Sequence, residues 1–182
     1  MNTHSPGLFI AFEGGDGAGK STQAARLAGS LESLGLTVLR TREPGGTPIG
    51  EKLRSLVLDH GHGHIDAHTE ALIFAASRAA HASQVIRPAL ERGEVVLTDR
   101  YIDSSVAYQG AGRDLGTDAA EDRMESEADE FHARIRQAFL DLAAARPDSY
   151  LVLEARLPVD ELAATILDHV EKLLAPSGRR LG

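Results

Sequence analysis

The sequence predicts an α/β fold in which a parallel β-sheet is covered by helices on both faces. Along the first 100 residues, short apolar runs alternate with stretches whose apolar residues recur at helical spacing. The runs Leu8–Phe12, Val38–Leu39 and Val95–Leu97 are continuously apolar, which is typical of strands buried on both faces. At 182 residues, with 42% apolar and 25% charged residues, the chain fits one globular domain spanning 1–182.

The first strand and the helix after it have clear local signals. Leu8–Phe12 is followed by glycines, and then Ala24, Leu27, Ala28, Leu31 and Leu34 recur at steps of three and four residues. Gly35 stands where the helix is expected to end, since glycine readily adopts the backbone that terminates a helix. A second strand is predicted at Val38–Leu39.

A helical pattern then runs to the third strand. Apolar residues recur from Leu72 to Ala80, and the pattern continues from Val85 to Leu90 before Gly93. The strand Glu94–Thr98 follows and ends at Asp99. Strands alternating with helices in this way indicate βαβ units.

The last third of the chain is less regular. Residues 114–130 are rich in carboxylates and poor in large apolar side chains, which predicts a solvated helix or loop. A helix is predicted over Phe131–Leu142, a fourth strand at Tyr150–Leu153, and a final helix from Pro158 to Leu174. Four strands are few for a fold of this kind.

Composition and charge exclude several classes of protein. The absence of cysteine excludes disulfide frameworks and thiolate chemistry. A formal charge of -8 argues against unspecific binding to nucleic acid or to an anionic membrane. No apolar run approaches the ~20 residues of a membrane span, and Met1–Gly7 does not resemble a signal peptide. We therefore expect a cytoplasmic protein with no nucleic-acid or membrane partner.

Residues 13–22 contain a complete phosphate-binding loop, with Gly14, four further residues, and then Gly19-Lys20-Ser21. A predicted strand precedes the loop and a helix follows it, so backbone N–H groups and the helix N-terminus point toward phosphate oxygens. The alternative is a glycine-rich turn that binds nothing. The predicted triphosphate-binding residues are Gly14, Gly15, Asp16, Gly17, Ala18, Gly19, Lys20, Ser21 and Thr22.

Asp99 and Arg100 stand at the carboxyl end of the third strand, the side on which open α/β sheets bind ligands. Asp99, together with the Ser21 hydroxyl, is a candidate ligand for Mg²⁺. Arg100 is a candidate phosphate clamp. A simple ion pair at the end of the strand is the alternative.

Two further stretches carry candidate binding residues. Thr41–Pro48 contains two glycines and two prolines next to Arg42 and Glu43, which indicates either a phosphate-gripping turn or an ordinary rigid turn. Phe74 and Arg78 lie four residues apart and share one helical face, an arrangement that suits base stacking and edge recognition. A phenylalanine in a helix is, however, commonly a core residue.

The histidines of the stretch 60–68 invite a metal hypothesis. Their spacing around two glycines fits neither a helical ligand pair nor a standard zinc pattern. We expect a solvated loop, whose histidines are His60, His62, His64 and His68.

Together these motifs resemble the bacterial thymidylate kinases, which are P-loop nucleoside monophosphate kinases. The matching segments are Glu13–Thr22, Thr41–Glu51, Glu70–His81 and Asp99–Gly112, the last of which contains the family string Asp-Arg-Tyr, Ser and Ala-Tyr-Gln. The resemblance is strong over residues 1–115 and weaker over 123–175. It implies a three-layer P-loop NTPase fold and a homodimer. It also implies a kinase that phosphorylates dTMP to dTDP with ATP and Mg²⁺, in the synthesis of dTTP.

The resemblance also implies a role for each matching residue. It places Arg42 and Arg100 on the phosphate of dTMP, Arg78 on the thymine edge and Phe74 on the base. The other expected dTMP-binding residues are Ser104, Tyr108 and Gln109. The expected catalytic residues are Lys20, Arg100, Asp16, Glu43 and Arg123.

One departure from the family concerns residues 116–123. Family members are longer by about 35–40 residues, and they continue here with a helix, a buried strand and an arginine-rich lid. In this chain the lid is reduced to a remnant at about 113–130, in which Arg123 is the candidate arginine. Either a segment is missing from the sequence as written, or the chain is a variant with an internal deletion. One strand is therefore missing from the expected sheet, and Tyr150–Leu153 loses its neighbour. The alternative functions are a nucleotide binder with impaired catalysis and a kinase for another nucleotide.

Overall fold

The computed structural model describes residues 7–59, 61–112 and 126–175. In these ranges three parallel strands, β1 (Leu8–Phe12), β2 (Val38–Arg42) and β3 (Val95–Asp99), form a sheet with the order β1-β3-β2. Phe12 of β1 and Arg42 of β2 both lie opposite Asp99, the last residue of β3. The carboxyl ends of all three strands therefore meet at one edge of the sheet, as the sequence predicts.

Helices occupy most of the remaining described residues. Two of the connections continue a helix with wider, π-type turns, at Ala82–Ile86 and Val106–Gly112, and a short 3-10 turn lies at Pro147–Ser149. The first π-type turn leads into Pro88, which has no N–H to continue a regular ladder. The α-helices are α1 (Lys20–Ser33), α2 (Pro48–Leu58), α3 (Ala67–His81), α4 (Arg87–Glu91), α5 (Ile102–Ser105), α6 (Ser126–Ala145) and α7 (Val159–Leu174).

The sheet is covered on both faces because successive residues of β3 point to opposite sides. Val95 and Leu97 pack with Leu31 of α1 and Val170 of α7 in one buried cluster. Val96, between them in sequence, packs on the other face with Ile86 and Ala89. These two clusters confirm the three-layer α/β prediction and fix the edge at which the loops converge.

The predicted fourth strand at Tyr150–Leu153 is wrong for this structure. The backbone at Tyr150 is extended, but residues 150–153 pair with no strand among the described residues. A strand needs a hydrogen-bonded neighbour, and in the described part of the chain β1 has β3 as its ladder partner. Leu151 and Val152 are 40% and 58% exposed, the apolar exposure expected when the neighbouring strand is missing.

The structure also bears on the predictions for the acidic stretch and for membrane spans. Residues 113–125, which include most of the acidic stretch and of the lid remnant, lie outside the described residues, and α6 begins at Ser126. In the described ranges no helix combines the length and the apolar character needed to cross a membrane.

Candidate active site

The phosphate-binding loop curls between β1 and α1 at the carboxyl edge of the sheet. Gly14, Gly17 and Gly19 have φ angles of 131°, 75° and 84°, a region that side-chain-bearing residues rarely adopt. Gly19 is the N-cap of α1, and no side chain caps this helix end. The N–H groups of the first turn of α1 and the positive end of the helix dipole are therefore available to bind an anion.

Lys20 reaches back over the loop. Its Nζ donates hydrogen bonds to the carbonyl oxygens of Gly14 (3.1 Å) and Gly15 (2.7 Å). Burial lowers the pKa of Lys20, and the guanidinium of Arg100 lowers it further. The ammonium group therefore lies inside the curve of the loop, at the place where a phosphate chain would replace the carbonyl oxygens as its partner.

Ser21 and Asp99 meet although they lie far apart in the sequence. The Ser21 hydroxyl donates to Oδ2 of Asp99 at 2.5 Å. The Ser21 and Asp99 oxygens lie close together and are open to phosphate oxygens and water. This arrangement fits Mg²⁺, which uses few protein ligands. Among the described residues no group of three or more histidine, aspartate or glutamate side chains forms a separate metal site.

Arg100 links the phosphate loop to the helix that follows β3. Its Nη2 lies 2.5 Å from Oδ1 of Asp16 and 3.3 Å from the Tyr108 hydroxyl, and its Nη1 donates to Ser104 Oγ at 3.1 Å. The guanidinium also lies over the Tyr108 ring, 4.9 Å from its centre. Its backbone has a φ of 68°, an uncommon conformation for a non-glycine residue that often marks a functional position. Arg100 forms one wall of a cleft of about 420 Å³ over the loop.

Glu13 anchors the start of α5 beneath Arg100. Its Oε1 accepts hydrogen bonds from the backbone N–H groups of Tyr101 (2.8 Å) and Ser104 (3.3 Å), and its Oε2 accepts from the Ser104 hydroxyl. Burial raises the pKa of Glu13, and the bonds from Ser104 and Tyr101 offset part of that rise. The carboxylate thus fixes Ser104, which in turn contacts Arg100.

A buried network lies on the other side of the cleft, where α3 faces the turn after β2. Oε2 of Glu43 accepts from Nε of Arg78 at 2.8 Å, and Oε1 lies 3.0 Å from Nδ1 of His81. The Glu43 side chain is 4% exposed and that of Arg78 is 15% exposed. Nη2 of Arg78 also donates to the Ser105 hydroxyl. Arg78 is therefore held from two directions.

Arg42, at the end of β2, forms an ion pair with a residue of α2. Its Nη2 lies 2.9 Å from the Glu51 carboxylate, and both side chains are about half exposed. Glu51 also accepts a hydrogen bond from the backbone N–H of Gly46. That backbone hydrogen bond is the main cause of the lowered pKa of Glu51. Arg54, which is on α2 like Glu51, donates to the Pro44 carbonyl at 2.9 Å. Contacts made by Arg42, Glu51 and Arg54 therefore hold the turn between β2 and α2 in place.

The remaining predicted binding residues lie on α3 and on the π-type turns that follow α5. Phe74 is half-buried, one turn before Arg78 on α3. Tyr108 is half-buried with its ring 6.3 Å and 6.4 Å from the rings of Phe131 and Phe139 of α6. Gln109 is buried and donates to Glu70 at 3.0 Å. Tyr108 and Gln109 are therefore held in place by their contacts with α6 and α3.

Comparison with known proteins supports the resemblance to the thymidylate kinases. The sequence model described as thymidylate kinase matches residues 12–122. The thymidylate kinase of Leifsonia xyli is 50% identical over 200 residues, which cover 90% of this chain and 94% of that protein. The thymidylate kinase of Bifidobacterium longum is 45% identical over 203 residues, covering 92% and 98%. The chain belongs to the thymidylate kinase family.

A solved structure supports the fold of this family member. The crystal structure of thymidylate kinase from Ehrlichia chaffeensis matches with a TM-score of 0.77 and 32% identity, covering 91% of this chain and 99% of that one. The P-loop fold and the kinase class implied by the family resemblance are both confirmed by this family membership.

The comparisons also give the size of the chain's shortfall against its relatives. The match to the Leifsonia protein spans 200 aligned positions but 90% of 182 residues, or about 164, so some 36 positions have no counterpart here. This agrees with the 35–40 residues expected from the family resemblance.

Two further sets of residues singled out from the sequence are Arg123 and the histidines of the stretch 60–68. Arg123 and the segment around it lie outside the described residues, as does His60. His62 and His64 are exposed in the loop before α3, and His68 is exposed in the first turn of α3, whose N-cap is the side chain of Asp66. The expected solvated loop is confirmed for residues 61–66, whereas His68 lies in the helix.

The structure shows contacts to the predicted site from residues that sequence reasoning did not single out as site residues. Glu13, Arg54, Glu70 and His81 each contact a predicted site residue or the turn that carries one. His81 and Glu70 lie on the helix of Phe74 and Arg78 at spacings of three and four residues from them, a signal that could have placed them on the same face. Glu13 directly precedes the phosphate loop, and nothing in the sequence pairs it with Ser104.

Proposed function

We propose that this chain transfers the γ-phosphoryl group of ATP to the phosphate of dTMP, with Arg100 joining the two substrate sites. The observation that carries this proposal is the placement of the Arg100 guanidinium. On one side it contacts Asp16 of the phosphate loop, and on the other it contacts Ser104 and Tyr108. A single positive group between the two sites suits a reaction in which negative charge passes from one to the other.

On the ATP side, the phosphate loop holds the triphosphate through its backbone N–H groups, and Lys20 exchanges its two carbonyl partners for phosphate oxygens. A cleft of about 160 Å³ adjoins the loop and is lined in part by Gly17, Leu157 and Leu162. This mixed apolar lining suits the adenine ring. The proposed ATP site is thus continuous from the base to the γ-phosphate.

Ser21 and Asp99 hold the Mg²⁺ in this proposal. The bound ion supplies positive charge to the phosphate oxygens. Within the chain, the Asp99 carboxylate at the end of β3 keeps the Ser21 hydroxyl at the edge of the cleft, where the phosphate loop ends.

On the acceptor side, Arg78 contacts the thymine edge, Phe74 stacks on the base, and Tyr108 lies against the sugar. Arg100 binds the acceptor phosphate, assisted by Arg42. The exposed pair of Arg42 with Glu51 contributes little free energy. Arg42 can therefore exchange that carboxylate for a phosphate at small cost. Ser104 and Gln109 complete the pocket.

Proton transfer needs no separate catalytic base. The second pKa of a phosphate monoester is near ~6, so the acceptor oxygen is already ionised at pH 7. Catalysis rests on positioning and on neutralising charge. Lys20 and Arg100 supply positive charge at the transferring group, Asp16 orients Arg100, and Glu43 orients Arg78. Arg123, the candidate arginine from the family resemblance, would supply further positive charge in this proposal.

We also propose that the active form is a homodimer formed through α2 and α3, and that it works in the cytoplasm. These two helices pack against each other. They carry Leu58 and Leu72, two large apolar side chains that are 53% and 71% exposed and that a partner subunit would cover in this proposal. Analytical ultracentrifugation of Leu72→Glu tests this, with Leu173→Glu on α7 as the control. A dimer that persists in Leu72→Glu contradicts it.

The proposed role of Arg100 is tested by Arg100→Ala in a coupled assay of ADP release with dTMP as acceptor. We expect turnover to fall by about 10³-fold, the lower end for an arginine that stabilises phosphoryl transfer, while ATP still binds. Arg92→Ala is the matched control, because Arg92 forms an exposed pair with Glu94 away from the cleft. Full turnover of Arg100→Ala would remove Arg100 from the mechanism.

A further inference from the structure

His81 is a completely buried histidine for which the proposed mechanism has no use. Its side chain is 0% exposed, and both ring nitrogens are engaged. Nδ1 lies 3.0 Å from Oε1 of Glu43, and Nε2 lies 2.6 Å from the hydroxyl of Thr41. Both partners belong to β2 or the turn that follows it, so the imidazole joins α3 to that turn.

The contact with Glu43 fixes the orientation of the carboxylate. An ionised carboxylate only accepts hydrogen bonds, so Nδ1 of His81 is the donor in this pair. With Oε1 taken by His81, the other oxygen, Oε2, faces Arg78 and accepts from its Nε at 2.8 Å. His81 and Arg78 lie three residues apart on one face of α3, and Glu43 lies between them.

The orientation of Arg78 follows from that of Glu43. Its Nε is bound to Glu43 and its Nη2 to Ser105, and neither contact uses Nη1. A planar guanidinium bound along two edges has a fixed plane, so the remaining Nη1 edge points in one direction.

The turn is built closely around the imidazole. A Cβ added to Gly46 would come within 2.7 Å of Cδ2 and 2.8 Å of Nε2 of His81. Gly46 also has a φ of 76°, which a residue with a side chain rarely adopts. One turn earlier on α3, the Ser77 hydroxyl accepts from the backbone N–H of Gly45 at 3.1 Å. The turn and α3 therefore form one locked unit with His81 inside it.

We propose that His81 is a positioning residue for substrate recognition: through Glu43 it sets the plane in which Arg78 presents its free edge to the acceptor base. This inference rests on the proposed role of Arg78 at the thymine edge. His81 itself touches no substrate.

Two substitutions that differ by one methylene group test the proposal. In His81→Asn the side-chain amide occupies the position of Nδ1 and can donate to Glu43, whereas in His81→Gln it occupies the position of Nε2 and reaches Thr41 instead. A residue that only fills space would respond to both changes alike. Positioning through Glu43 predicts that Asn preserves function and Gln does not. His169→Gln on α7 is the control for a histidine outside the network.

The first readout is dTMP affinity of the full chain, measured by calorimetry beside ATP affinity. We expect His81→Gln to weaken dTMP binding about tenfold, the size of one lost hydrogen bond to a charged group. We expect His81→Asn to stay within about threefold of the unmodified chain, and ATP affinity to be unchanged in both. Equal losses in the two variants, or no loss in His81→Gln, would overturn the proposal.

The second readout needs no ligand. The Nε–H of Arg78, bonded to a buried carboxylate, should give a slowly exchanging signal in a ¹⁵N spectrum, assigned by its loss in Arg78→Lys. The signal should persist in His81→Asn and disappear in His81→Gln; its persistence in both would contradict positioning. If Arg78→Lys binds dTMP normally, the proposed role of Arg78 fails while this signal still decides the role of His81.

Discussion

Replacing Glu43 by Gln should lower the free energy of unfolding strongly, because the substitution removes a buried charge. The size and shape of the side chain stay nearly the same, so the effect reports the charge and its hydrogen bonds. The side chain of Glu43 is 4% exposed, and its two oxygens accept from Arg78 and His81. A glutamine amide has one oxygen and one NH₂ group. Its NH₂ group must therefore face either Arg78 Nε–H, which also donates, or His81 Nδ1, which can accept only if the imidazole changes to its other tautomer.

The expected cost follows from these contacts. A hydrogen bond to a charged group contributes about 1.5–3 kcal/mol, and breaking a buried ion pair from one side costs about 3–5 kcal/mol. Both ranges include about 3 kcal/mol, which we take for Glu43→Gln. With a urea m-value of about 2–3 kcal/mol per molar for a chain of this size, the unfolding midpoint should fall by about 1–1.5 M.

Urea unfolding followed by circular dichroism measures this change, and Glu51→Gln is a matched control. Glu51 also pairs with an arginine, Arg42, but the two side chains are 44% and 54% exposed. That substitution should cost less than about 1 kcal/mol. Equal midpoints for the two variants would refute the reasoning that burial makes the Glu43 pair important.

Three further predictions concern other parts of the fold. Thr47→Ala removes the N-cap of α2, where the buried Thr47 side chain accepts from Gly50 N–H at 2.9 Å; unfolding should lose about 1 kcal/mol, and an unchanged melting temperature would contradict the cap. Burial raises the pKa of Glu13 above 4.5, so its contribution to stability is fully present below that pH and is lost as pH rises through the raised value. The unfolding free energy of the chain relative to Glu13→Gln, which cannot titrate, should therefore fall as pH rises above 4.5, and a flat difference would argue against it. Val152→Lys, at a position 58% exposed, should change stability by less than about 0.5 kcal/mol while slowing aggregation in light scattering; unchanged aggregation would show that this exposed segment is harmless.

Features set by neighbouring residues in the sequence could be predicted. The phosphate loop was predicted in full because its glycines, Lys20 and the flanking strand and helix are consecutive in the chain. The three strands of the sheet were predicted for the same reason, since a short continuous apolar run carries its own signal. The convergence of Asp99 with Ser21 followed from the rule that parallel strands end at one edge.

Features that depend on distant contacts could not be predicted. Tyr150–Leu153 has the composition of a strand, but its pairing depends on a neighbour elsewhere in the chain. His81 and Glu43 lie 38 residues apart, and no local pattern indicates that the imidazole is buried against that carboxylate. The partner of Arg42 was likewise set by the turn geometry, which brings Glu51 of α2 back beside β2.

The most direct test of the proposed function is a coupled assay of ADP release on the purified 182-residue protein with Mg–ATP. The acceptors to compare are dTMP, dUMP, dCMP and thymidine. The account predicts that ADP release depends on dTMP and is slower with each of the other three. ATP binding without any dTMP-dependent release of ADP would contradict it, leaving a nucleotide-binding chain whose phosphoryl transfer requires the segment that its relatives possess.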